Sequence, residues 1–247
     1  MSTATTARQI SALDIAMRVA SYDWTHISDH LDGHGWAMFP ELLTPRECAA
    51  LAALYGDDSR FRSQVIMARH DFGRGEYKYF SYPLPENIFE LRTALYARLV
   101  PIANRWNEAM DIDVRYPKAH EEFLRRCHEA GQTRPTPLLL QYGEDDFNAL
   151  HQDVYGEHVF PLQVAILLSE PDTDFTGGEF VLTEQRPRMQ SRAEVVPLRR
   201  GDGVVWAVRN RPVQGTRGSY RVNLRHGVSR LRSGHRHTVG VIFHDAK

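Results

Sequence analysis

Leu138-Leu-Leu-Gln-Tyr142-Gly-Glu-Asp-Asp-Phe-Asn-Ala-Leu-His151-Gln-Asp153 joins a short β-prone run to a His-x-Asp pair. Further runs of the same kind follow at Val159–Leu168, Phe180–Glu184, Ala193–Pro197, Gly203–Val208, Tyr220–Val228 and Thr238–His244. Turn residues divide them, and many short strands with frequent turns predict a sandwich or barrel. His151 and Asp153 stand at i and i+2, so on extended backbone both side chains project to the same face and reach one ion.

Upstream the pattern is helical. Ile10 to Ala20 carries apolar residues close to helical spacing, and Trp36–Phe39 reads as a short strand ending at Pro40. Thr44, Pro45 and Glu47 form a helix start with a capping box before Cys48–Tyr55. Two more helices are expected at Asn87–Met110, with Pro101 a point of kinking or division, and at Ala119–Ala130. Together they would cover one face of a sheet. Residues 65–85 differ, mixing glycine, basic residues and five aromatics. They read either as a loop covering substrate or as a hairpin packed on the core.

The chain of 247 residues suits a single domain, with residues 1–135 as mostly helical support and residues 136–247 as the β core. No apolar run approaches the ~20 residues that span a bilayer. The N-terminus lacks the layout of a secretory signal. Cys48 and Cys127 have no metal-binding spacing and are too few for a disulfide framework. These features predict a cytoplasmic protein without membrane association. The net charge of −1 hides an asymmetry, because Val181–Lys247 carries fourteen basic and four acidic residues. Those arginines either meet an anionic partner or pair with acids of the preceding part.

A third metal ligand must come from outside the His-x-Asp pair. A second imidazole would complete a facial set of two His and one carboxylate, which leaves coordination positions open. Among twelve histidines, His226 lies on a β-prone run. Ten residues later, past a Ser233-Gly234 turn, Arg236 and Thr238 share one face of the next strand. A guanidinium there can pair with a carboxylate, beside a hydroxyl. His235 and His237 should face away from Arg236, His158 follows Asp153 too closely, and His244 sits near the chain end. Asp202 reads as a turn residue.

The pattern H-x-D … H-x(9)-R resembles the Fe(II)/2-oxoglutarate-dependent dioxygenase superfamily, from Leu138 to the C-terminus. That resemblance implies a double-stranded β-helix (jelly-roll) core flanked by N-terminal helices. It implies Fe(II) on His151, Asp153 and His226, and 2-oxoglutarate held by Arg236 and Thr238, with Tyr142 as a further contact. It also implies O2 as oxidant, with succinate and CO2 as co-products of hydroxylating a C–H bond. Phe175–Leu182 and Gly201–Trp206 are similar to superfamily segments in the same order.

For the substrate, two branches are echoed. Leu139–Gly143 with Leu150–Asp153 is similar to AlkB-type nucleic-acid dealkylases. Arg74–Phe80 and Phe160–Gln163 look like a bacterial oxygenase family described as acting on alkylation-damaged DNA. That branch implies alkylated DNA or RNA as partner, although the second active-site arginine usual in AlkB-type enzymes is missing from Thr238–Phe243. Pro40–Cys48 and the Thr176–Phe180 turn resemble prolyl hydroxylases, implying a protein or small-molecule substrate. A cupin-type module with a structural metal is the non-enzymatic alternative, for which Arg236 would have no use.

Overall fold

Period-two alternation along the β-prone runs decides what lies between two facing sheets. The computed structural model describes residues 15–154, 156–216 and 218–247. Its strands begin with β1 (Trp36–Phe39), β2 (Phe61–Ile66), β3 (Gly73–Arg74), β4 (Glu76–Phe80), β5 (Leu138–Tyr142) and β6 (Phe147–His151). They continue with β7 (Leu162–Leu167), β8 (Phe175–Gly177), β9 (Phe180–Gln185), β10 (Arg192–Val196) and β11 (Gly203–Ala207). Last come β12 (Asn210–Gly215), β13 (Gly218–Val228), β14 (Leu231–Gly234) and β15 (Arg236–Val241). The larger sheet runs β1-β11-β7-β15-β5-β4-β2 and the smaller β10-β9-β13-β6-β3, with β12 on β13 and a separate β8–β14 pair. The result is the expected mainly β, jelly-roll core with a helical layer, and the barrel is not closed.

The central strands of the larger sheet feed two cores. Leu139, Val164, Ile166, Val205, Val239 and Val241 face the helices. Ala165, Leu167, Val204 and Trp206 face inward, against Phe180, Leu182 and Val228 of the smaller sheet. Every residue of β7 and of β11 is buried. A strand covered on both faces reads as a continuous apolar run, which is how both were recognisable.

Four helices follow the first described helical residues, 15–21 (α1). Of the helix expected at Ile10–Ala20, residues 10–14 lie outside the described residues. α2 (Trp24–His34) was not anticipated: only Ile27 and Leu31 of its eleven residues are buried, so its apolar stripe is too thin to read. Its ends are set by Asp23, whose side chain accepts from Thr25 N and His26 N, and by Gly35 at φ 81°. α3 (Pro45–Ala53) has the capping box, with Thr44 and Glu47 bonded reciprocally. α4 (Glu86–Ala109) runs unbroken through Pro101, which is exposed. Its buried stripe of Leu91, Leu95, Leu99, Ala103 and Trp106 supports the whole length. α5 (His120–Glu129) matches expectation.

Other boundaries moved for physical reasons. β6, β8, β12 and β14 were not foreseen, since they are short, polar or, in β12, interrupted by Pro212. The last strand begins at Arg236 rather than Thr238 and ends at Val241. β2 and β4 form a hairpin, of which residues 65–85 hold the end of the first strand, the connection with β3, and the return strand. Cys48 and Cys127 are free and buried. Arg200 and Arg230 pair with Glu170 and Asp145 of the preceding part at 3.3 and 3.2 Å. Arg186, Arg192 and Arg211 instead converge on Glu184. Among the described residues no helix is long and apolar enough to cross a membrane.

α4 is tied to the chain end through Arg92, which is 1% exposed. Its Nε donates to Ile242 O at 2.7 Å and its Nη2 to Asp245 Oδ1 at 2.7 Å. Tyr82 Oη also donates to Asp245, at 2.9 Å. Removing one partner of a buried ion pair leaves an uncompensated charge, at a cost of about 3–5 kcal/mol. Asp245→Ala is therefore expected to lower the unfolding free energy by about that amount, measured by urea denaturation monitored by circular dichroism.

Candidate active site

β6 and β13 pair antiparallel with His151 directly opposite His226. Cross-strand partners share a face, so the two imidazoles meet with ring centroids 4.2 Å apart. The register shifts between His226 and Val228. Gly227 permits this approach, because a Cβ there would lie 2.6 Å from Asn148 O. Beyond β6 the chain is held by Gln152, whose Nε2 donates to Leu224 O at 2.6 Å and Asn223 Oδ1 at 3.0 Å. That anchor turns Asp153 back under both histidines. Asp153 Oδ1 lies 3.5 Å from His151 Nε2, and Oδ2 lies 3.5 Å from His226 Nε2.

These three residues are, among the described residues, the one group of His, Cys, Asp and Glu with ligand atoms all within 4.8 Å of one another. Their chemistry fits a divalent transition metal. His151 Nδ1 donates to Ala149 O at 2.7 Å, which leaves the Nε2 lone pair facing Asp153. His226 packs on Trp206 and Phe180, with centroids 4.7 and 6.1 Å away. Burial, with His151 adjacent, holds the His226 pKa well below the usual imidazole range, so the ring stays neutral, as a ligand must be. Burial pushes the Asp153 carboxyl above its ordinary range, while His151 and the Gln163 amide pull it back.

The ligands open onto a cavity of ≈ 440 Å³ between the sheets. Arg236, Thr238 and Tyr142 line it as anticipated. Arg236 stands opposite Tyr142 in the β15–β5 register, and Thr238 follows two residues along the same face. Arg236 is 1% exposed. Among the described residues its one hydrogen bond is from Nη1 to Thr238 Oγ1, at 2.6 Å, and Nε has no partner. The guanidinium otherwise faces the rings of Tyr142 and Phe175, 5.6 and 5.9 Å away. Burial pushes its pKa down to about 10. A buried cation without an anion is costly, and a ligand carboxylate would relieve it. Gly178, at φ +64°, presses on this corner: a Cβ there would lie 3.2 Å from Arg236 Cδ.

The other candidates stay outside. His237 points to the opposite face, 6.0 Å from the Tyr55 ring. His244 is fully buried and its Nδ1 accepts from Phe160 N. Asp202 accepts from Glu41 N and Arg199 N, a turn role.

Several lining residues went unremarked as site residues in the sequence. Tyr77 and Tyr79 of β4 share one face and meet edge-on at 5.4 Å. Arg62 of β2 stacks over Tyr79 at 4.4 Å while its Nε donates to Pro135 O. With Phe72 they form the wall facing the metal-ligand set. Phe72, Tyr77 and Tyr79 belong to the aromatic-rich segment 65–85, which was the signal for them, while Arg62 lies before it. Gln163 and Trp206, directly paired on β7 and β11, also line the cavity. A lone amide in the apolar run Leu162–Leu167 was the signal for Gln163.

The fold and the family agree with this geometry. A Pseudomonas putida prolyl-4-hydroxylase superimposes with TM-score 0.52 at 16% identity, covering 91% of this chain and 99% of that one. A Burkholderia pseudomallei oxidoreductase of the 2OG-Fe(II) oxygenase family gives TM-score 0.53 at 16% identity, covering 92% and 94%. At those identities the likeness is one of fold. Uncharacterized proteins from two Mycobacterium tuberculosis strains are 48% identical over 189 residues, covering 76% of this chain and 78% of theirs.

Replacing Arg236 with methionine removes the unpaired cation. Arg236→Met is expected to raise the melting temperature of the metal-free protein by a few degrees. A dicarboxylate added with a divalent metal is expected to stabilise the wild type by about 2.7 kcal/mol at a hundredfold excess over Kd and to leave Arg236→Met unchanged. Differential scanning calorimetry with and without the dicarboxylate checks both.

The family model described as "Oxygenase, catalysing oxidative methylation of damaged DNA" matches residues 75–246, which include all three metal-capable side chains and Arg236, and the chain belongs to that family of oxygenases.

Proposed function

We propose that His151, Asp153 and His226 hold Fe(II), that Arg236, Thr238 and Tyr142 hold the far carboxylate of 2-oxoglutarate, and that the substrate is an alkylated nucleic-acid base. The observation that carries this reading is Arg236, a buried guanidinium with no ion pair among the described residues, in the same cavity as a two-histidine, one-carboxylate set. A closed structural metal site of cupin type has no use for such an anchor. Bound Fe(II), with 2-oxoglutarate and O2, supplies the oxidant for an unactivated C–H bond.

The chain's own residues do the rest. Arg236 and Thr238 fix one end of the dicarboxylate at the bottom of the cavity, and the Tyr142 hydroxyl, contacted by Asn148 Nδ2 at 3.4 Å, closes that corner. Burial pushes the Tyr142 pKa up to about 12, so it acts as a neutral hydrogen-bonding group. The apolar walls restrict water around the reacting carbon.

Support for a nucleobase comes from the family description and from the wall of Tyr77, Tyr79 and Phe72, with Arg62 on Tyr79. Aromatic faces and a guanidinium plane stack on any base. Phe72 is 47% exposed and stacked with His70 at 5.5 Å, so it is available at the mouth. One N-methyl group, one O2 and one 2-oxoglutarate would give an N-hydroxymethyl group, succinate and CO2, and the hydroxymethyl then departs as formaldehyde. A cytoplasmic location accords with this substrate.

The test is succinate and formaldehyde release with Fe(II), ascorbate and 2-oxoglutarate, in the presence of methylated single-stranded oligonucleotides or proline-containing peptides. Formaldehyde stoichiometric with succinate is expected for the oligonucleotides alone. His151→Ala should lower turnover by at least a hundredfold, and Tyr79→Ala should raise KM for the oligonucleotide more than it lowers kcat. Turnover with the peptides, and none with the oligonucleotides, would overturn the substrate. Oligonucleotide binding, read by fluorescence anisotropy, should weaken as salt rises.

A further inference from the structure

Gln163 is the one polar side chain in β7, and it is 2% exposed. Trp206 stands directly opposite on β11, and among the described residues Gln163 Nε2 has no hydrogen-bond partner. A buried amide donor left without an acceptor is destabilising. Packing alone does not call for an amide there, since methionine has nearly the same shape and carries no such penalty.

The side chain lines the same cavity as Asp153, and Trp206, its partner on β11, packs on His226. The two Asp153 oxygens are divided between His151 Nε2 and His226 Nε2 at 3.5 Å each. An ion taken up by the three residues through one carboxylate oxygen leaves the other oxygen in need of a donor. Trp206 Nε1 is likewise buried and unpartnered, but its ring packs on His226. That leaves Gln163 as the donor matched to the carboxylate.

We propose that Gln163 is a positioning residue for the metal-binding carboxylate, its Nε2 donating to the Asp153 oxygen that the ion does not use and so keeping Asp153 a one-oxygen ligand. This rests on the metal-centre reading above. A carboxylate free to turn and bind through both oxygens would occupy a position that the co-substrate needs. Partners that orient metal ligands typically contribute 10–100-fold in metal affinity.

The experiment is titration of the metal-free protein with Co(II), followed by its visible absorption and by calorimetry. Wild type should bind one equivalent, and His151→Ala should lose it. If His151→Ala binds as wild type does, the metal centre itself is misplaced, whatever Gln163 does. With that established, Gln163→Met should bind Co(II) 10–100-fold more weakly, while the melting temperature of the metal-free variant stays level or rises. Wild-type affinity in Gln163→Met overturns the proposal. Should that variant fail to fold, the wild type decides by NMR. The Gln163 side-chain NH2 signals should move downfield and exchange more slowly when Zn(II) is added, and unmoved signals overturn the proposal equally.

Discussion

The pairing of β6 with β13 is the constraint on which the site depends. It sets His151 opposite His226, and a shift of one residue would turn one imidazole to the other face of the sheet. The bulge at Gly227 and the Gln152 anchor on β13 then bring Asp153 back into the same space. Three ligand groups thus sit on one rigid sheet and its edge, not on three independent loops. Their spacing is inherited from strand geometry.

The larger sheet supplies the opposite wall and the cost that goes with it. Arg236, Gln163 and Trp206 face inward from β15, β7 and β11, and each carries a buried donor atom without a partner among the described residues. In an ordinary core such groups would be replaced by aliphatic side chains of similar size. They cluster around one cavity, with Arg236 at one end and Gln163 lining it together with Asp153. The sheet withstands this because the centre of its other face is apolar, through Leu139, Val164, Ile166, Val205, Val239 and Val241, and α4 packs there through a long buried stripe. Arg92 and Asp245 lock that helix to the chain end, so the wall carrying Arg236 is braced from behind.

The β2–β4 hairpin has a different relation to the fold. It extends the larger sheet by two strands and places Tyr77 and Tyr79 on the cavity side. It is the packed hairpin that its composition allowed, and it also lines the cavity. That combination suits a recognition surface, in which stacked rings already hold their orientation before a ligand arrives. The C-terminal arginines are likewise divided: some pair with acids of the earlier part, and three surround Glu184.

Much of this was legible in the residues. Strands buried on both faces announce themselves as apolar runs, the α3 cap is a local hydrogen-bond pattern, and His151 and Asp153 share a face because alternation is a property of extended backbone. The Arg236–Thr238 pair follows from the same rule. What could not be read was anything set by a distant partner. α2 has too thin an apolar stripe to stand out, and β12 and β14 exist because β13 and β8 offer them edges. Pro101 leaves α4 intact because the packed stripe outweighs one lost hydrogen bond. The sequence by itself determined which side chains share a face and which chemistry they offer. Tertiary structure alone decided that His226 meets His151, that Gln163 lines the same cavity as Asp153, and that Arg236 is buried without an ion pair among the described residues. Each of these is a contact between strands far apart in the chain, made by sheet register and closure, which no local pattern encodes.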